Sequence, residues 1–156
     1  ITRAREMRQE VVGANSAQAT PVVQVASGLG FEVVEFTPTD DTKALSGAVE
    51  HENKRIFVNA TEHPGRKRFT IAHEIGHIVL HRDEGNFVDY RHQIGYAQAD
   101  QPKEQEANHF AVELLMPRLV FEALWSAYSG NVEAVANALM VSKQAAKYRA
   151  DELRLA

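Results

Sequence analysis

The run Arg68-Phe69-Thr70-Ile71-Ala72-His73-Glu74-Ile75-Gly76-His77-Ile78-Val79-Leu80-His81 reads as one largely apolar helix with two histidines a turn apart. Residues i and i+4 share a helix face, so His73 and His77 can hold one metal ion between them. Glu74 follows the first histidine directly and points to another side. It is placed to take a proton from a water at the metal rather than to bind the ion itself. Ile71, Ala72, Ile75, Ile78 and Val79 make the helix a buried one, and buried imidazoles need polar partners, which a metal supplies.

A hydrolytic zinc centre usually takes three protein ligands. His81 stands four residues past His77, but roughly 12 Å of helical rise separates it from His73, too far to share an ion. It reads as an ordinary histidine of the last turn. The elongated HExxHxxGxxH pattern fails as well, because Leu80 and Asp83 stand where Gly and His are required.

The third ligand is sought in Lys103-Glu104-Gln105-Glu106-Ala107-Asn108-His109-Phe110-Ala111-Val112-Glu113-Leu114-Leu115-Met116-Pro117. Its apolar positions Ala107, Phe110, Ala111, Leu114 and Leu115 follow the helical period. Glu104 and Glu106 compete, since they lie on nearly opposite sides of the helix. Glu104 shares a face with Asn108, which could orient a ligand imidazole, and this pairing favours Glu104.

These residues resemble the ImmA/IrrE family of small metallopeptidases. The resemblance rests on RFTIAHEIGHIVLH, on EQEANHFAVELLMP, and on LSGAVEHENKRIFVNA before them, together about residues 45 to 117. It implies an α+β, compact zincin-like fold of the gluzincin type: a small twisted sheet, an active-site helix, a second ligand-bearing helix and a helical C-terminal region. By the same resemblance His73 and His77 fall on the histidine ligands of a Zn2+ ion, Glu104 on the acidic ligand and Glu74 on the base. Members of the family typically cut a helix-turn-helix repressor in a stress, mobile-element or defence switch. Single-stranded DNA or a small molecule would serve as the trigger. Two other readings stay open: a non-proteolytic, metal-stabilised regulator that binds a repressor or nucleic acid, favoured if a fourth side chain closes the site, and a toxin-antitoxin component on the same fold.

The rest of the chain is compatible with that picture. With 156 residues and 44% hydrophobic content, it can bury one sizeable core. The expected organisation is a metallopeptidase core over residues 1–117 with C-terminal helices over 118–156 packed on it as one unit. No cysteine is present, which excludes thiol catalysis, disulfides and cysteine zinc fingers and fits a reducing cytoplasm. No apolar run is long enough for a membrane span. The chain opens at Ile1, so upstream residues are expected, without a targeting segment among them. A net charge of −4 makes no global case for nucleic-acid binding.

Helices are expected over 2–12, over the 20s behind a Thr20 cap and Pro21, and at about 118–128, 131–139 and 142–153. Strands are expected at Phe31–Phe36, Ser46–His51 and Arg55–Asn59, the last two forming a hairpin. Arg55–Asn59 is the candidate edge strand for an extended substrate. Residues 82–102 lack periodicity and read as a long connection and possible lid, from which Tyr90, His92 or Tyr96 could reach the oxyanion. Residues 131–149 resemble a helix-turn-helix, with Ser142 capping the second helix. Lys143, Lys147, Arg149 and Arg154 outweigh Asp151 and Glu152 there, yet packing is favoured over DNA contact.

Overall fold

The computed structural model describes residues 2–95 and 101–156. In chain order these form α1 (Thr2–Val12), α2 (Val22–Gly28), β1 (Glu32–Phe36), β2 (Leu45–Glu50), β3 (Arg55–Asn59), α3 (Pro64–Leu80), β4 (Phe87–Tyr90), α4 (Pro102–Leu115), α5 (Arg118–Ala127), α6 (Val132–Leu139) and α7 (Lys143–Glu152). The architecture is α+β, as expected. The four strands make a mixed sheet in the order β1-β3-β2-β4, with β1 parallel to β3 and the other pairs antiparallel.

Two expectations about the sheet are corrected. Arg55–Asn59 is an interior strand, because the hairpin presents its β3 side to β1. Residues 82–102 are not a structureless connection: Phe87–Tyr90 pairs with β2 and becomes an edge of the sheet. The strand is short and its alternation is interrupted by the buried Asp89, so the hydrophobic pattern does not announce it.

Local chemistry sets the helix ends. Pro64 and Pro102 open α3 and α4, where a missing N–H costs nothing. Pro117 disfavours helical backbone at Met116, and α4 stops at Leu115. Asn131 and Ser142 cap α6 and α7 by accepting from the N–H groups of Ala134 and Ala145. Thr20 does not cap α2. Its hydroxyl donates to the Leu114 carbonyl and accepts from Arg8 Nε, tying α1 to the end of α4.

Helix α3 is the centre of the molecule. Phe69 through Ile78 are all buried, between the β2–β3 hairpin on one side and α4 on the other. Gly76 lets α4 come close: a Cβ there would lie 3.1 Å from Phe110 Cβ and 3.2 Å from the Ala107 backbone. The helices after Pro117 feed the same hydrophobic cluster through Val120, Phe121, Val135, Leu139, Ala146 and Ala150. Arg149 is buried, donates from Nε to the Met116 carbonyl and pairs with Glu113 and Glu152. The most central cation of the helix-turn-helix-like segment is thus spent on packing α7 against α4, and the basic face read from the sequence loses it.

Candidate metal centre

His73 and His77 project from α3 with both Nε2 atoms 3.0 Å from Glu104 Oε1, which reaches across from α4. All three residues are buried. The sequence did not flag the fourth member, Asp89 of β4. Its Oδ2 lies 3.5 Å from His73 Nε2 and 3.3 Å from His77 Nε2, and the residue has no solvent exposure. One donor atom from each of the four falls within 4.8 Å of the others.

The surrounding hydrogen bonds fix the tautomers. Asn108 Oδ1 accepts from Gly95 N–H while its amide donates to the Gln93 carbonyl. That orientation leaves His73 Nδ1, 2.8 Å from the same oxygen, to donate. On the other side His81 Nε2 donates to Glu106 Oε1 at 2.7 Å, so its Nδ1 accepts from His77 Nδ1 at 2.9 Å. Both imidazoles therefore turn an Nε2 lone pair toward carboxylate oxygens.

Lone pairs facing lone pairs require a cation. The chemistry of the donors and their spacing fit a divalent metal: ligands at about 2.0–2.1 Å from a tetrahedral ion stand roughly 3.3 Å apart. The observed separations of 3.0 to 3.5 Å bracket that value. Among the described residues nothing donates a hydrogen bond to either carboxylate oxygen of Asp89 or of Glu74 while the imidazole Nε2 atoms and both carboxylates are unprotonated, and all four oxygens are buried, which is costly unless a positive charge lies among them.

The protonation preferences of these buried groups carry the same conflict. Burial, followed by the charges of Asp89 and Glu104 and a hydrogen bond with Asp89, pushes Glu74 well above the usual carboxylate range. Burial opposes ionisation of Asp89 too, but the hydrogen bonds that protonated His73, His77 and Glu74 donate to it outweigh burial and hold Asp89 well below its ordinary value. For His73 burial works downward, and the hydrogen bonds to Asp89 and Glu104 prevail and raise it. Without a metal, protons must stand in for the missing cation.

Glu74 packs under β2. A Cβ at Gly47 would lie 2.8 Å from Glu74 Oε2 and 2.6 Å from Thr70 Cγ2, so only glycine leaves room for that carboxylate. An irregularity between Leu45 and Gly47 brings Gly47 opposite Asp89. Such bulges re-aim side chains, and here Asp89 turns inward while Val88 and Tyr90 are exposed. Phe87, on the same face as Asp89, stacks flat on the His77 ring at 3.8 Å.

The structure gathers His73, His77, Glu74, Glu104 and Asn108 around one point. Glu106, the rival for Glu104, partners His81 instead. His81 is not a plain last-turn residue, since it is buried and links His77 to Glu106; its spacing one turn beyond His77 was the available signal. Tyr90 and His92 stack on each other, both exposed, with Tyr90 on the face of β4 away from Asp89. Tyr96 lies outside the described residues. Asp89 carried no motif, and strand alternation over four residues is too short to single it out.

A family model described as "IrrE N-terminal-like domain" matches residues 26–151. The chain belongs to this family. Two proteins named "Radiation response metalloprotease IrrE", from Deinococcus radiodurans and Deinococcus deserti, are each 32% identical to it over 90 residues, 58% of the chain. The match spans 27% and 32% of the length of those relatives. A solved "Mycobacterium tuberculosis transcriptional regulator" superposes over 95% of the chain and 45% of its own length, with a TM-score of 0.66 and 16% identity. That likeness is one of fold, and it supports the IrrE-like architecture described above.

Proposed function

We propose that this IrrE-like domain is a zinc-dependent endopeptidase that cleaves a partner protein, a helix-turn-helix repressor, within a regulatory switch. The observation that carries the reading is Glu74: a buried carboxylate that no N–H or hydroxyl group among the described residues satisfies, directly beside His73 of the donor cluster. A purely structural metal has no use for such a group. Family membership and the metalloprotease relatives support hydrolysis, and the repressor substrate rests on the resemblance to ImmA/IrrE proteins.

His73, His77 and Glu104 would hold the ion. Zinc, when bound there, supplies Lewis acidity toward a peptide carbonyl and toward water. The protein does the remaining work. Glu74 accepts a proton from the attacking water on a carboxylate oxygen and returns it to the leaving amine. Asn108 and the His81–Glu106 pair hold the two imidazoles in the tautomer that presents Nε2. Burial of the whole group strengthens each of these interactions.

A second reading, a non-proteolytic metal-stabilised regulator, is favoured by Asp89, since four protein ligands are the mark of structural zinc sites. Mixing the purified protein with zinc and the helix-turn-helix protein encoded beside its gene, with and without single-stranded DNA, separates the two. A cut abolished in Glu74→Gln is expected. A stable complex that is never cut would replace the peptidase with the regulator.

A further inference from the structure

We propose that Asp89 is a fourth metal donor and that β4 occupies the place of a substrate strand, so that the peptidase is capped by its own chain. This rests on the peptidase reading above.

An extended peptide bound by a protease gains main-chain hydrogen bonds by adding a strand to a sheet edge. The strand that passes over the site is β2, whose Gly47 abuts Glu74. One edge of β2 is taken by β3 and the other by β4; β1 lies beyond β3, away from the donors. A substrate strand that pairs with β2 itself therefore needs the position that β4 holds. Strand β4 also makes the contacts expected of such an occupant. It runs antiparallel along β2 from Val49 to Leu45, lays Phe87 on the His77 ring, and places a carboxylate oxygen 3.3 and 3.5 Å from the two imidazole nitrogens. A hydrolytic site with three protein ligands keeps one position open, and Asp89 fills it.

The attachment of β4 is light. It is four residues long and, among the described residues, pairs on one side only. Beyond it Arg91 donates to Glu62, which also accepts from Ser46 at the β2 irregularity, but the Arg91 side chain is more than half exposed, where an ion pair contributes little. The ends of β4 are held further by His51 N–H on Asn86 Oδ1, Arg91 N–H on the Ala44 carbonyl and Arg66 on the Arg91 carbonyl. Releasing these, the latch, the Phe87–His77 stack and four residues of edge pairing would free the β2 edge and the fourth metal position together. Relief of the cap by a partner or trigger would then couple recognition to hydrolysis.

The test uses the full chain loaded with Co2+ in place of zinc, comparing wild type, Asp89→Ala and the closely isosteric Asp89→Asn, which keeps the packing if the alanine variant fails to fold. Visible absorption reports the donor set, and titration with acetohydroxamic acid reports access to the metal. The expected result is a changed, weaker cobalt band in both variants and an acetohydroxamate affinity raised about tenfold or more, as an outside ligand takes the vacated position. Identical spectra and identical acetohydroxamate affinity across the three proteins would overturn the proposal. Cleavage of the partner repressor is read in parallel. If the cobalt and acetohydroxamate results change as expected while no variant ever cuts, Asp89 remains a donor and it is the peptidase reading that fails.

Discussion

Gly47→Ala probes the contact between the sheet and Glu74, the base of the proposed mechanism. The new Cβ would sit 2.6 Å from Thr70 Cγ2, 2.8 Å from Glu74 Oε2 and 3.0 Å from the Phe57 carbonyl. Reaching an ordinary contact of 3.4 Å requires about 0.8 Å of movement at Thr70 and 0.6 Å at Glu74. Both belong to α3 and are wholly buried, so neither can swing into solvent. Overpacking of this kind costs about 1–3 kcal/mol, against a gain of roughly 0.5–1 kcal/mol from removing a strand glycine. The net expectation is a loss of about 1–2 kcal/mol, a fall in melting temperature of roughly 2–8 °C for a chain of this size. Gly28→Ala is the control: nothing lies within 4 Å of its Cβ position in α2, and it should leave stability unchanged or raise it by up to about 1 kcal/mol. Thermal unfolding of the three zinc-loaded proteins measures this directly. Metal affinity should change little, because the clash falls on Glu74 and not on the imidazoles, whereas a base displaced by a fraction of an ångström should lose hydrolysis by about 10–100-fold. A Gly47→Ala protein as stable as wild type would refute the packing of β2 on Glu74, and with it the placement of the substrate edge.

Glu104→Gln should weaken metal binding by more than about 100-fold in competition with a chromophoric chelator, while Glu106→Gln should have a much smaller effect; equal losses would mean that α4 presents its other face. Asn108→Ala and His81→Ala should each cost about 10–100-fold in metal affinity, because each frees an imidazole to rotate, and unchanged affinity would remove them from the site. In the chelated protein Glu74 and His73 both have folded pKa values above their unfolded ones. The folded chain therefore holds more protons, and its stability should fall as pH rises from about 5 to 8. Asp89, shifted downward, contributes an opposite slope only below its unfolded value of about 3.9. Zinc should reverse the trend, since its ligands bind deprotonated. Melting temperatures with chelator and with zinc should thus diverge as pH rises, and parallel curves would contradict the ligand set.

The legible part of the site lies on helices. His73, Glu74 and His77 are set by one 3.6-residue period, and Glu104 with Asn108 by another, so local geometry alone relates them within each helix. The same holds for the cap at Ser142, where side chain and partner N–H are three residues apart. Thr20 misled because its hydroxyl is satisfied 94 residues away, at Leu114. The interior position of β3 was illegible for a like reason: strand order depends on how β1 returns to the hairpin, which no local spacing records.

What the sequence by itself determined is placement: which helix bears the two histidines, that Glu74 stands directly beside the first of them, and which second helix offers a carboxylate. Those facts follow from spacings of three and four residues along a rigid helix. Only the tertiary structure decided that Asp89 joins them. An acidic residue in a four-residue strand has no period to betray it, and its role arises from an irregularity in β2, the absent Cβ of Gly47, and the pairing that carries β4 across the mouth of the site.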